Sequence, residues 1–187
     1  MYAWTAVMQN TLTTLNLSDR QIGLISFASG LGANIASPVS GFFVDTLFRR
    51  RLKCVSLGCM AIAAALLALF ALGVPLAEGD APALAESYPL LVALAVGVGL
   101  AQGGFAPLTY ELGAELLYPV PEGTSAGLLV LGINASCLAV ILVQDALRQY
   151  INYVVAATWV LCTALVAAGV RERYRRADAE SAVGVAP

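Results

Sequence analysis

Five long stretches without a charged residue set the architecture of this chain. Each is 22 to 24 residues long, and they cover residues 21–44, 54–77, 87–110, 123–144 and 149–170. A helix that crosses a bilayer needs about 20 consecutive, mostly apolar residues. The core of a water-soluble domain gives no reason for that length to recur five times. The spacing therefore predicts an all-α membrane protein whose five full spans contact the lipid bilayer.

The residue types that are missing exclude several functions. The chain has no histidine, and its four cysteines lie inside the apolar runs without a C-x-x-C pair. It therefore offers neither a recognisable metal site nor Ser-His catalysis, and no paired mid-span aspartates suggest an aspartyl mechanism. With 10 basic residues against 12 acidic ones, nucleic acid is not an expected partner. We predict that the protein is not an enzyme and holds no metal or cofactor.

The basic residues predict the orientation of the spans. Successive loops alternate sides, which places the 45–53 loop, the 111–122 loop and the tail after residue 170 on one face. Eight of the ten basic residues lie on that face, and short loops rich in Lys and Arg stay in the cytoplasm. We therefore expect Arg51 and Arg175 to be cytoplasmic and the acidic loop from Glu78 to Glu86 to lie on the opposite side.

The first residues differ from the five runs. Residues 1–14 are too short for a full span and suggest one half of a spanning helix. Ser18, followed by a glutamine three positions later at Gln21, is typical of a capping box at a helix start. The next helix is therefore expected to begin immediately after Ser18.

Three of the five runs carry an amide side chain near the middle: Asn34, Gln102 and Asn134. Polar side chains inside a membrane are expected to face the bundle interior or a wet cavity. Two interpretations remain open: the amides hydrogen-bond neighbouring helices, or they line a cavity. The cavity is favoured because the same runs contain Pro38, Pro107 and Gly132, and local helix breaks are a feature of transporter sites.

A second polar group lies at the predicted cytoplasmic end. Asp45, Arg49 and Glu115 are at similar depths there, and we predict that they form a network of ion pairs. The alternative is that the bases are ordinary orientation signals and the acids reach water. Glu111 lies four residues before Glu115, hence on the same helix face. Because a carboxylate is costly within a span, Glu111 is a candidate proton-binding site.

Two segments resemble a known transporter family. The segment GFFVDTLFRRRLK, residues 41–53, resembles the G-x-x-x-D-R-x-G-R-R loop of the major facilitator superfamily, with Thr46 and Phe48 in place of the usual base and glycine. The segment YELGAELLYPVPEGTSAGLL, residues 110–129, is similar to the helix 10–11 junction of the solute carrier 49 family, the feline leukaemia virus C receptor-like transporters. The disrupted-in-renal-carcinoma branch shares YPVPEG and a tail like that at residues 171–174.

The resemblance implies the fold and the domain organisation. The chain would be the C-terminal six-helix half of a twelve-helix transporter, with residues 1–14 as a truncated helix 7 and residues 21–176 as helices 8 to 12. Residues 177–187 would be a disordered cytoplasmic tail. The missing N-terminal half would then be a partner. The resemblance also implies the plasma membrane, or a lysosomal or vacuolar membrane, as the location.

The resemblance further implies the function and its residues. Similar proteins move small organic solutes such as choline, ethanolamine or pyridoxine, and haem has been proposed. In this superfamily helices 7, 8, 10 and 11 border the cavity, which would make Asn34, Gln102 and Asn134 substrate-cavity residues, with Trp4 as the aromatic residue of helix 7. The alternative is a stand-alone multi-span protein with a structural or regulatory role and no transport activity.

Overall fold

The protein is described by a computed structural model that covers residues 2–13, 15, 17–47, 51–73, 87–144, 146–147 and 150–171. This part of the chain forms six helices and no strand: α1 (Tyr2–Thr13), α2 (Asp19–Leu47), α3 (Leu52–Gly73), α4 (Tyr88–Leu117), α5 (Glu122–Gln144) and α6 (Ile151–Gly169). Helices α2 to α6 are long and apolar enough to cross a membrane. The five predicted spans are thereby confirmed.

Local sequence sets the helix ends. The side-chain oxygen of Gln21 accepts hydrogen bonds from the backbone N–H and hydroxyl of Ser18, at 3.0 Å each. The N–H of Gln21 is 3.4 Å from the Ser18 hydroxyl, which completes the predicted capping box before α2. Helix α4 ends at Leu117, and α5 follows after Pro119 and Pro121, neither of which can donate the N–H that would continue a helix.

The predicted interruptions within the spans are not breaks in secondary structure. Helices α2, α4 and α5 remain α-helical through Pro38, Pro107 and Gly132. The two prolines still have a local effect, because a residue without an N–H leaves the carbonyl four positions earlier without its helical hydrogen bond. These carbonyls belong to Asn34 on α2 and Gly103 on α4.

Helix α4 is the centre of the bundle. It packs against α2, α3 and α5, while α6 packs on α3. Near one end of the bundle, the Lys53 ammonium group at the start of α3 donates to the carbonyl of Ala167 at the end of α6, at 2.8 Å. We call this the basic end. At the opposite end, called the far end, α1 packs against α2, α5 and α6.

Two apolar clusters lie at different depths. The larger one, at the far end, joins α1 residues such as Met8 and Leu12 to residues of α2, α3, α4 and α6, and includes Phe70 and Leu91. The smaller one, at the basic end, contains Val44, Leu52, Leu108 and Leu112. Because lipid tails are as apolar as leucine, the association of these helices relies on close packing more than on exclusion of water.

Candidate transport site

The α2–α4 crossing sets the depth of two predicted site residues. A Cβ atom on Gly103 would lie 2.6 Å from the Cα of Ala33, and one on Gly99 would lie 2.9 Å from the carbonyl carbon of Ser29. Any larger residue would push the backbones apart, so these glycines allow the helices to touch. The contacts run in the same order along both helices. Asn34 follows Ala33 and Gln102 precedes Gly103, so the two amides lie at a similar depth.

Asn34 and Asn134 face away from the rest of the bundle. Both side chains are exposed. The Asn34 amide donates to the Gly30 carbonyl at 2.9 Å, and the Asn134 amide donates to the Val130 carbonyl at 2.9 Å, each within its own helix. These bonds satisfy one donor and join no two helices. Within the described part of the chain, the two asparagines are therefore not interhelical cross-links, and their amide oxygens remain available to accept hydrogen bonds.

Gln102 is placed differently from the two asparagines. Its side chain is only 3% exposed, and its Nε2 atom has no hydrogen-bond partner among the described residues. A buried, unpaired amide costs about 1–3 kcal/mol. Gln102 continues the α4 face of Ala95 and Val98, which belong to the large apolar cluster around α1. The structure thus buries Gln102 inside the bundle, while Asn34 and Asn134 remain on the open surface.

The middle of α5 is uncovered. Every residue from 130 to 136 is exposed, although seven residues make almost two full turns. On the N-terminal side of this stretch, Leu129 contacts α4 so closely that a Cβ on Gly113 would lie 2.8 Å from the Cδ1 atom of Leu129. On its C-terminal side, Val140 packs against the large apolar cluster. Asn134 therefore lies on a part of α5 that the described helices do not cover.

Trp4 lies in the core. It is 3% exposed and packs edge-to-face on Phe70 of α3, with ring centroids 5.0 Å apart. Its indole Nε1 is buried without a hydrogen-bond partner among the described residues. The α1 residue Thr11, two turns later, bonds Asn152 near the start of α6. Trp4 and Thr11 thus lie on the same buried face of α1.

The predicted charge network is only partly described. Glu115 and Glu111 both lie on α4, with Glu115 9% exposed and Glu111 exposed. Asp45 lies within α2, but its side chain is outside the described part, as are Arg49 and the tail 177–187. The network thus stays a prediction. No group of three or more His, Cys, Asp or Glu residues that could hold a metal occurs in the described ranges.

Sequence reasoning missed two features that hold the site in place. The Gly99 and Gly103 spacing is the small-xxx-small pattern that lets helices approach, and it could have identified the α2–α4 contact. The buried pair of Thr11 and Asn152 joins α1 to α6 through hydrogen bonds of 3.1 and 3.2 Å. Nothing local in the sequence signals that pair, because its members are 141 positions apart.

The architecture defines a multi-span helical membrane protein with polar side chains at mid-span. The family model of the Major Facilitator Superfamily matches residues 1–185. The chain belongs to this superfamily, a family of membrane proteins associated with the transport of small solutes. Comparison with curated proteins gives no match, and comparison with solved structures gives none either. The six helices and the family match together confirm the predicted fold, a helical half of this superfamily.

Proposed function

We propose that the chain is half of a secondary transporter that moves a small organic solute by alternating access. The observation that carries the proposal is the exposure of Asn34 and Asn134 near the middle of two apolar helices. A polar side chain that faces hydrocarbon is costly, so these faces are expected to border a water-filled cavity or a partner. Membership of the superfamily supports transport as the use of such a cavity.

The exposed amides also favour a partner. We infer that a second six-helix half, the N-terminal half of the transporter, covers the Asn34 face of α2 and the Asn134 face of α5 and closes the cavity. Substrate sites of such transporters lie near the bilayer midplane between two repeats. The resemblance to the solute carrier 49 family proposes choline, pyridoxine or haem as the type of substrate. Plasma, lysosomal or vacuolar membranes are the proposed locations.

Asn134 is the residue on which we test the proposal. An amide has two donors and an acceptor and can orient a polar or cationic solute without the desolvation cost of a charge. Its amide nitrogen is bonded within α5 and links no second helix. We therefore expect Asn134→Ala to reduce uptake of choline or pyridoxine at least ten-fold, by loss of about 1.4 kcal/mol of binding. Asn134→Leu should reduce uptake further because it also fills the cavity.

The experiment measures uptake and surface abundance together, in cells that express the chain with its proposed N-terminal half. Ser136→Ala is the matched control, because Ser136 is also exposed on α5 and its hydroxyl bonds the Gly132 carbonyl at 2.8 Å. Uptake should fall for Asn134→Ala at constant abundance and change little for Ser136→Ala. If uptake and abundance fall in equal proportion, Asn134 serves packing. An absence of any uptake by the parent protein would favour the structural or regulatory alternative.

We further propose that Glu111 binds the proton that drives transport. It lies on α4 beyond Gln102, towards the basic end, and the residue is exposed. Glu111→Gln keeps the shape and removes the titration, so uptake should lose its dependence on pH. Glu122→Gln is the control, because Glu122 is also exposed but is the first residue of α5, whereas Glu111 lies within α4. An unchanged rate and pH profile for Glu111→Gln would contradict the proton role.

A further inference from the structure

An apolar groove runs along the surface between α2 and α3. Helix α2 supplies Ile35, Val39 and Phe43, α3 supplies Val55, and α4 forms the floor with Leu100 and Gly104. The open volume is about 350 Å³. Ile35, Val39, Phe43 and Leu100 are exposed, so the groove opens to the outside of the bundle. It lies on the Gly104 side of α4, away from the buried Gln102 face.

The groove has the length of one bilayer leaflet. Along α2 its lining extends from Ile35 to Val44, which at 1.5 Å per residue is about 14 Å. Half of the roughly 30 Å hydrocarbon core of a bilayer is about 15 Å. The groove ends near Val44 and Val55, close to the basic end. Its dimensions therefore fit one lipid acyl chain from the leaflet at that end.

The chemistry of the lining suits an acyl chain. Ser40, a polar residue of the wall, already donates its hydroxyl to the Ser37 carbonyl at 2.9 Å. The groove is deepest at Gly104 because glycine has no side chain. A Cβ atom there would occupy part of the groove, 3.7 Å from Cys59 Sγ and 3.9 Å from Ser40 Cβ. The wall can make dispersion contacts with an acyl chain and requires no hydrogen bond from it.

An arginine lies at the mouth of the groove. The N–H of Val55 donates to the carbonyl of Arg51 at 3.2 Å, so Arg51 is one helical turn beyond the groove towards the basic end. Its side chain is exposed and has no ion-pair partner among the described residues. Lys53, by contrast, bonds the end of α6. Among the described residues, Arg51 is therefore the cation placed to meet a lipid headgroup beside this groove.

We propose that the groove binds one acyl chain of an anionic phospholipid whose phosphate contacts Arg51. The charge distribution predicts that the basic end is cytoplasmic. Anionic lipids are concentrated in the cytoplasmic leaflet, and each basic residue near that surface contributes about 1 kcal/mol of attraction. The groove selects a chain by shape, and Arg51 selects the charge of the headgroup.

The test is native mass spectrometry of the purified protein with phosphatidylglycerol and phosphatidylcholine of identical acyl chains. The parent protein should retain one phosphatidylglycerol in preference to phosphatidylcholine. Arg51→Gln should lower that preference about five-fold, the factor for loss of one basic residue near the surface. Arg171→Gln is the matched control, because Arg171 is also exposed at the basic end but follows α6. It should keep the preference.

A second pair of variants tests the groove itself. Gly104→Leu fills the floor and should reduce retention of both lipids, whereas Gly58→Leu should not, because a Cβ on Gly58 has nothing within 4 Å. Equal retention of the two lipids by the parent protein would overturn the proposal, as would equal losses for Arg51→Gln and Arg171→Gln. Where Gly104→Leu does not fold, the Arg51 variant decides alone, because it changes no packed side chain.

Discussion

Helices α4 and α5 are both apolar spans with an amide near the middle, yet they are packed in opposite ways. Half of the most apolar 18 residues of α4 are buried, whereas none of those of α5 are. Helix α5 is nevertheless the more apolar of the two. In a bilayer, an apolar side chain loses little by facing lipid, so hydrophobicity does not decide which helix is central.

Small residues instead determine which helix lies at the centre of the bundle. Gly99 and Gly103 of α4 bring the α2 backbone into contact, whereas Gly127 and Gly132 of α5 have nothing within 4 Å of where a Cβ would be. The same difference separates the amides: Gln102 is buried beside the glycine contact, and Asn134 is exposed. A glycine in a span thus indicates close packing only when another backbone occupies the space it leaves.

The largest expected effect tests this contrast directly. Gly103→Leu should lower the free energy of unfolding by about 3 kcal/mol, because the added side chain overlaps the α2 backbone. The melting temperature should fall by about 6–12 °C. Gly132→Leu on α5 is the matched control and should change it by less than about 2 °C. The contrast between α4 and α5 would be wrong if thermal unfolding in detergent showed equal losses for both variants.

A smaller effect of opposite sign is expected at Gln102. Gln102→Met keeps the length of the side chain and removes a buried amide nitrogen that has no partner. The variant should therefore be more stable by about 1 kcal/mol, while uptake falls if the amide serves the solute. Asn134→Met should leave stability nearly unchanged, since Asn134 is exposed. A destabilised Gln102→Met protein would show that the amide already has a partner in the folded state.

The smallest effect concerns the attachment of α1. A double-mutant cycle of Thr11→Val and Asn152→Leu should give a coupling of about 0.6 kcal/mol, the average for a hydrogen bond between membrane helices. The exposed 3.4 Å contact between Gln9 and Ser26 is the control and should give no measurable coupling. Chemical unfolding in detergent measures both cycles. Equal couplings would mean that α1 is held to α2 as firmly as to α6.

Features coded by adjacent residues could be predicted from the sequence. The charge-free runs indicated five spans, and the spacing of Ser18 and Gln21 indicated the start of α2. The predicted interruptions at Pro38 and Pro107 were wrong because the rest of each helix keeps its hydrogen bonds around one missing donor. A proline within a span is therefore weaker evidence of a break than it is in a soluble helix.

Features that depend on distant residues could not be predicted. The three amides could be identified from their positions near the middle of the charge-free runs. Their exposure, however, depends on which helices pack together, and this packing depends on contacts such as that of Gly103 with Ala33. Trp4 shows the same limit, because its burial comes from Phe70 of α3. The roles of these residues in transport stay predictions, as does the network of Asp45, Arg49 and Glu115.

The α2–α4 contact has a consequence for biosynthesis. Ser29 and Ala33 meet Gly99 and Gly103, which are 70 residues further along the chain. At about 5–20 residues per second, a ribosome needs roughly 4–14 s to supply those residues. During that interval α2 has already been made, and its small-residue face at Ser29 and Ala33 has no α4 to meet. Helix α2 must therefore remain in the membrane, or beside the insertion machinery, without this contact until α4 has been translated.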